Sequence, residues 1–221
     1  IDITAAEPGC HPFVGALDVA PIVHRFPADR GVACAAALTL AERLGCELGL
    51  PVFLYGALAG GRTRADLRRG GPSGLARRIA AGESTPDFGP ARLHPGAGAT
   101  LVGAREPLVA FNMELSPPAD LALARHLAAL LREGGEEGLP GLRAIGLSLP
   151  SRNVVQLSTN VERPQALTLA ELIAAVRRHA PVERAEIVGL VPRHALDGFP
   201  ADVPLAGFDP LTGVIEAALG D

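Results

Sequence analysis

Apolar residues along the chain follow two kinds of pattern, one typical of strands and the other of helices. Short apolar runs bounded by Gly, Pro or charged residues predict buried strands at residues 16–23, 52–56, 108–113, 143–149, 154–160 and 185–191. Apolar positions three or four residues apart predict helices over residues 29–48, 120–132 and 169–179, followed by a helical turn over 192–196. This mixture of patterns predicts an α+β protein.

The first predicted helix has the clearest limits. Its buried face is predicted from apolar residues at helical spacing, namely Val32, Ala36, Leu40, Leu44 and Leu48. Gly49 and Pro51 then provide the stop signals. The arginine-rich residues 62–79 predict two short helices broken at residues 70–72. We interpret these arginines as a solvated face, and contact with an anionic ligand is the alternative.

The order of the predicted elements indicates two subdomains within the 221 residues. The polar run at residues 133–138 is the best candidate boundary, so we assign residues 1–135 to a first subdomain and residues 136–200 to a second. The β-β-α-β order beyond the boundary predicts a small antiparallel sheet with its helices on one face. Residues 201–221, rich in Pro, Gly and Asp, are expected to form a loosely held tail.

Candidate chemistry begins with His11, which lies between a glycine turn and Pro12 at the entrance of the first predicted strand. Proline restricts the backbone of the preceding residue, so the position of the ring is expected to be well defined. A histidine held in this way at the edge of a cleft is suited to proton transfer. The alternative is a solvated turn histidine. The adjacent Cys10 is expected to point to the opposite side of an extended chain, which disfavours a thiol nucleophile paired with His11.

A second stretch rich in Gly and Pro covers residues 86–105 and predicts irregular structure. Glycines there would let backbone amides approach a flat ligand closely. The stretch has neither a Walker lysine nor a GxGxxG motif after a strand, so a phosphate cradle is excluded. We expect His94 to lie at the edge of the ligand and the other histidines, His24, His126, His179 and His194, to lie at the surface or at helix ends.

Composition narrows the classes of function. The formal net charge is −4 and aromatic residues make up 4%, which disfavours nucleic-acid binding. The chain contains no lysine, so lysine-based covalent chemistry is excluded. No apolar run is long enough for a membrane span. The three cysteines lack metal-ligand spacing, and we expect free thiols in a cytoplasmic protein without a metal.

Taken together, ordered motifs along most of the chain resemble the glutamate formiminotransferase (formimidoyltransferase) family, the transferase part of formiminotransferase-cyclodeaminase. The matching pieces are His11-Pro12 with residues 15–19, the run 51–56, the run 86–90, residues 98–100 and 103–105, Ala110-Phe111-Asn112, Ser158-Thr159-Asn160 and residues 188–192. No single piece is specific, whereas the ordered set is.

The resemblance implies two ferredoxin-like subdomains, with antiparallel or mixed sheets, and a folate groove between them. It implies transfer of a formimidoyl group between N5 of tetrahydrofolate and the amine of glutamate, a step of one-carbon metabolism and histidine degradation. The catalytic histidine of the family corresponds to His11. The family's folate-contacting loop corresponds to Gly89, Pro90, Ala91, Arg92, Leu93, His94, Pro95, Gly96, Ala97 and Gly98. The family also implies a cytoplasmic homodimer with folate and glutamate or formiminoglutamate as small-molecule partners.

Three further residues are predicted to support this site. Asp18 lies in an apolar run, and a buried carboxylate requires a partner, which we expect to be the His11 turn or an arginine. Asp87 is as well suited to capping the loop as to contacting folate. Arg105, together with Arg92 in the loop, is expected to bind substrate carboxylates, because arginine pairs with them bidentately.

The chain departs from the family pattern at three points. Cys10 and Phe13 replace the acidic residue and the arginine that usually flank the His-Pro pair, and Ala97 replaces an aromatic residue of the loop. Family members also carry an earlier strand-helix unit with no counterpart here, so the sequence is either a fragment or has an exposed sheet edge that needs a partner. The alternatives are a non-catalytic folate-binding or interaction paralogue, or a one-carbon transferase with a different acceptor.

Overall fold

A computed structural model describes residues 2–5 and 11–220, which form two compact units, Ile1–Glu106 and Pro107–Asp221. The strands are β1 Val19–Val23, β2 Val52–Leu54, β3 Thr100–Arg105, β4 Val109–Leu115, β5 Leu142–Leu149, β6 Val154–Val161, β7 Val182–Val188 and β8 Leu205–Ala206. The α-helices are α1 Arg30–Glu47, α2 Arg64–Arg68, α3 Gly71–Ala80, α4 Leu121–Leu131, α5 Leu169–Arg177, α6 Pro210–Gly213 and α7 Ile215–Leu219. Every predicted strand and helix is present, and the prediction of two α/β subdomains is confirmed.

The first unit is built on a parallel three-stranded sheet with the order β1-β3-β2. Side chains alternate between the faces of a strand. Val52 and Leu54 of β2 therefore pack with α1, whereas Phe53 packs with Leu67 of α2 and Leu75 of α3. The resemblance implied a ferredoxin-like subdomain with an antiparallel or mixed sheet, but the strands of this unit are parallel and its helices cover both faces.

Helix α1 buries only part of the predicted face: Leu44 is 8% exposed and Leu40 packs against the same core, whereas the other predicted positions are exposed. Ala33, Ala37 and Ala41 face the sheet, while Val32 is 73% exposed. The helix is apolar around most of its circumference, so spacing alone does not select a face, and small alanine side chains allow close approach to the strands. Among the residues that the structure describes, no helix combines the length and apolar character needed to cross a membrane.

Strand β3 is the central strand of this sheet, although its sequence was predicted to be irregular. Its backbone pairs with β1 on one side and β2 on the other. Gly103 allows this packing, because a Cβ at this position would lie 2.8 Å from the Tyr55 ring. The glycine that weakened the strand prediction is therefore a packing requirement of the sheet.

The second unit has the ferredoxin-like order β4-α4-β5-β6-α5-β7. Its sheet order is β5-β6-β4-β7-β8, and β4 is antiparallel to both β6 and β7. Leu127 of α4 and Leu172 of α5 are fully buried in one core with Phe111 of β4. Because both helices contribute to this single core, they lie on the same face of the sheet, as predicted.

The division between the units falls at Glu106 and Pro107 rather than at the polar run 133–138. That run connects α4 to β5, and Glu133 donates its backbone N–H to the carbonyl of Leu142 at 2.9 Å. The residues after Gly198 do not form a loose tail, because Val203 and Val214 are buried in the core of the second unit. Both the boundary between the units and the packing of the C-terminal residues depend on contacts between distant parts of the sequence, which local composition does not indicate.

Candidate functional site

The two Gly/Pro-rich stretches singled out in the sequence lie against each other in the first unit. The backbone N–H of Ala99 donates to the carbonyl of Val14 at 2.9 Å, and that of Ala16 donates to the carbonyl of Ala97 at 2.9 Å. Gly15 forms an antiparallel bridge with Gly98. Residues 14–16, which follow His11, are therefore hydrogen-bonded to residues 97–99 at the end of the loop 89–98.

Glycine is required at this junction because the two backbones touch. A Cβ on Gly15 would lie 1.9 Å from the carbonyl oxygen of Ala99, and a Cβ on Gly98 would lie 2.2 Å from that of Val14. Gly98 also has a φ of +71°, which disfavours any other residue. No side chain fits between the two segments of this junction without displacing one of them.

His11 itself is exposed, and Val14 three residues later is fully buried. The segment is thus anchored at its inner end while it presents the imidazole to solvent, where a substrate can reach the ring. Phe13 is half-buried. Pro8, Gly9 and Cys10, which complete the predicted turn, lie outside the described residues.

The loop has its own internal order at His94. His94 and Gly98 exchange two backbone hydrogen bonds, of 3.0 and 2.9 Å. The N–H of Ala97 donates to Nδ1 of the His94 ring at 2.9 Å. A backbone amide is always a donor, so Nδ1 is the acceptor and the proton of the neutral ring is on Nε2. The ring is exposed and closes the turn that ends the loop.

The other end of the loop is fixed to the sheet and to α1. Gly89 has a φ of +79°, and a Cβ there would lie 2.1 Å from the carbonyl oxygen of Leu50. The Asp87 carboxylate accepts the N–H of Leu54 at 2.8 Å and pairs with Arg62. Both contacts cap the edge strand β2, which favours the structural role of Asp87.

Asp18 pairs with an arginine, one of its two predicted alternatives, and also contacts the backbone three residues after His11. One carboxylate oxygen accepts the N–H of Val14 at 2.7 Å, and the other pairs with the guanidinium of Arg68 in α2. Sequence reasoning did not single out Arg68, which belongs to the segment interpreted as a solvated face. The absence of lysine was the available signal, because it restricts the fixed cation that could pair with a buried carboxylate to an arginine.

The remaining predicted residues are distributed around the first unit. Arg92 is exposed within the loop, whereas Arg105 is half-buried at the end of β3 and donates to the carbonyl of Glu106 at 2.8 Å. His24 was predicted to lie at the surface, but it is only 7% exposed and its Nδ1 lies 3.2 Å from the carbonyl of Phe26. Within residues 2–5 and 11–220, no group of three His, Cys, Asp or Glu side chains is arranged to hold a metal.

Comparison with known proteins gives consistent similarities. Residues 1–105 match the family described as formiminotransferase domain, N-terminal subdomain. The chain is 34% identical over 204 residues to glutamate formimidoyltransferase of Streptococcus pyogenes serotype M1, which covers 89% of the chain and 67% of that protein. A glutamate formimidoyltransferase of Thermoplasma acidophilum is 33% identical over 216 residues, covering 92% of the chain and 70% of that protein. Formimidoyltransferase-cyclodeaminase of Sus scrofa is 38% identical over 203 residues, covering 85% of the chain but only 37% of that protein.

Proposed function

The chain belongs to the formiminotransferase family, and we propose that it transfers a formimidoyl group between 5-formimidoyltetrahydrofolate and the amine of glutamate. Tetrahydrofolate acts in this reaction as a substrate. The catalytic residue of the proposal is His11, and the folate-contacting segment is the loop 89–98.

The observation that most supports the proposal is the fastening of the His11 segment to this loop. Two backbone hydrogen bonds and the Gly15–Gly98 bridge hold residues 14–16 against residues 97–99. A proton-transfer group and a ligand-binding loop must be held in a fixed relation if the group is to meet the reacting atoms. These contacts supply such a relation between segments some 80 positions apart in the sequence.

The chemistry requires one group that accepts and then donates a proton near neutral pH. The attacking amine forms a bond to the formimidoyl carbon and gives a tetrahedral intermediate. His11 takes the proton from the attacking nitrogen and returns it to the leaving nitrogen as the second C–N bond breaks. Histidine suits both steps because its ordinary pKa lies near neutrality.

Arginines are the proposed partners of the substrate carboxylates. Arg92 extends from the loop into solvent, and Arg105 ends the central strand of the same unit. Glutamate and folate both carry carboxylates, and guanidinium groups bind these bidentately. Without any lysine in the chain, arginine is the residue left to supply this charge.

The His94 ring is expected to hold the loop in its binding conformation. We expect H94A to weaken tetrahydrofolate binding roughly 5-fold, equivalent to about one net hydrogen bond. H94N keeps an acceptor for the Ala97 N–H and should bind within about 2-fold of wild type. Calorimetric titration with tetrahydrofolate compares the three proteins. Equal losses in H94A and H94N would instead mean that the ring contacts the ligand.

The direct test of the proposed function is an assay with tetrahydrofolate and formiminoglutamate. Acid converts the 5-formimidoyl product to methenyltetrahydrofolate, which is measured by its absorbance. We expect turnover that depends on both substrates. Saturable folate binding without turnover would favour the non-catalytic paralogue or a different acceptor. A wild-type protein that neither binds tetrahydrofolate nor turns over would overturn the proposal.

A further inference from the structure

We propose that Arg68 is a positioning residue of this site, acting through Asp18 on the Val14–Asp18 turn, which begins three residues after His11. The proposal rests on the proposed function for its kinetic consequences. The structural part of the proposal is that the Arg68–Asp18 ion pair fixes the turn that begins at Val14, and this part can be tested without an activity assay.

The Asp18 carboxylate joins two parts of the chain that are 50 residues apart. Its first oxygen accepts the N–H of Val14, four positions earlier, and closes a turn over residues 14–18. Its second oxygen pairs with Arg68. The two side chains are 21% and 22% exposed, so water screens the pair less than it screens an exposed pair. Removal of the guanidinium would leave this partly desolvated carboxylate without its counter-ion.

Val14 passes this constraint on to the loop. Its carbonyl accepts the N–H of Ala99, while its N–H is held by Asp18. Val14 is fully buried, and both of its backbone groups are hydrogen-bonded: the N–H to Asp18 and the carbonyl to Ala99 at the end of the loop. A change in Arg68 is expected to reach His11 and residues 97–99 together.

Arg68 is itself well anchored. Thr63 and Asp66 form a capping box at the start of α2, and the hydrogen bond from the Thr63 hydroxyl lowers the pKa of Asp66 below its ordinary value. Arg78 donates to the carbonyls of Leu67 and Arg69, at 2.7 and 2.6 Å, and so closes the other end of the helix. Because both ends of α2 are held, the guanidinium of Arg68 has a fixed position from which to pair with Asp18.

The neighbouring Arg69 offers a matched control. It directly follows the same short helix and also forms an ion pair, but its partner is Asp66 of that helix, at 3.0 Å, and its side chain is 74% exposed. R68M and R69M thus remove the same charge from adjacent positions. Only R68M removes the link to the turn of residues 14–18 that follows His11.

The kinetic test uses R68M, R68K, D18N, the double variant D18N/R68M and R69M. We expect R68M to lower kcat roughly 10–100-fold, as misplacement of a catalytic group does, with KM for tetrahydrofolate within about 3-fold. R68K restores the charge and should recover most of kcat. D18N keeps an acceptor for the Val14 N–H but breaks the ion pair, so it should match R68M, and the double variant should be no slower. Additive losses, an unchanged kcat in R68M, or an equal loss in R69M would overturn the proposal.

Amide hydrogen exchange provides the readout that does not depend on activity. We expect the Val14 and Ala99 amides to exchange faster in R68M and D18N than in wild type and R69M. If wild type shows no turnover, the proposed function fails while this comparison still decides the role of Arg68. Unchanged protection of both amides would overturn the positioning role, and D18N supplies the same test if R68M does not fold.

Discussion

Replacement of His11 by alanine is expected to lower turnover by roughly 10²–10⁴-fold, the usual contribution of a general acid or base. His11 is exposed, so loss of its ring removes little packing, and the fold should persist. Binding of tetrahydrofolate should change by less than about 3-fold, because the loop 89–98 is held by backbone contacts that do not involve the imidazole. The measurement is kcat in the formiminoglutamate assay, beside calorimetric binding of tetrahydrofolate.

His126 supplies the control for this experiment. It is an exposed histidine on α4 of the second unit, and H126A should retain wild-type kcat. Partial rescue of H11A by added imidazole would support proton transfer, because an exposed position leaves room for a small base. An H11A protein with full turnover would show that another group carries the proton, and a parallel loss of folding in H11A would show a structural role instead.

The sequence pattern predicts the elements of this chain better than the way they pack. The predicted starts of α4 and α5, at residues 120 and 169, are within one residue of those observed, where Asp120 and Thr168 cap the helices. Strand β3 was missed because Gly103 lowers the strand signal, and the need for glycine arises only when Tyr55, the residue after β2, lies across it. The buried face of α1 was predicted only in part, at Leu40 and Leu44, because helical spacing is uninformative in a helix that is apolar on several sides.

The candidate site shows the same limit. His11 and the loop were each found from local residue types. The neighbouring sequence does not indicate that the N–H of Ala99 donates a hydrogen bond to the carbonyl of Val14. Asp18 was predicted to have a partner on general electrostatic grounds. Which arginine would be that partner depends on where α2 lies over the sheet, a product of long-range packing. Residue chemistry can therefore identify candidate site residues before the fold is known. The hydrogen bonds and ion pairs between those residues can be assigned only once the fold is known.

Replacement of Gly15 by alanine is the change expected to damage the first unit most. The new Cβ would lie 1.9 Å from the carbonyl oxygen of Ala99 and 2.9 Å from that of Ala97. Both are backbone atoms: the Ala97 carbonyl accepts the N–H of Ala16, and the N–H of Ala99 donates to Val14, so neither segment can rotate away as a side chain would. The two segments must separate, and we expect a loss of about 2–3 kcal/mol in the free energy of unfolding, as for overpacked sites.

The amino-acid composition makes this loss measurable in the first unit alone. The chain contains one tyrosine and no tryptophan, and Tyr55 is buried in the first unit. Its fluorescence during urea unfolding therefore reports the unit that contains Gly15, without a contribution from the second. G31A is the matched control, because a Cβ on Gly31 meets nothing within 4 Å, and alanine in a helix should leave stability unchanged or raise it by up to about 1 kcal/mol. If G15A unfolded at the same urea concentration as wild type, the contact between the His11 segment and the loop would not contribute to the stability of this unit.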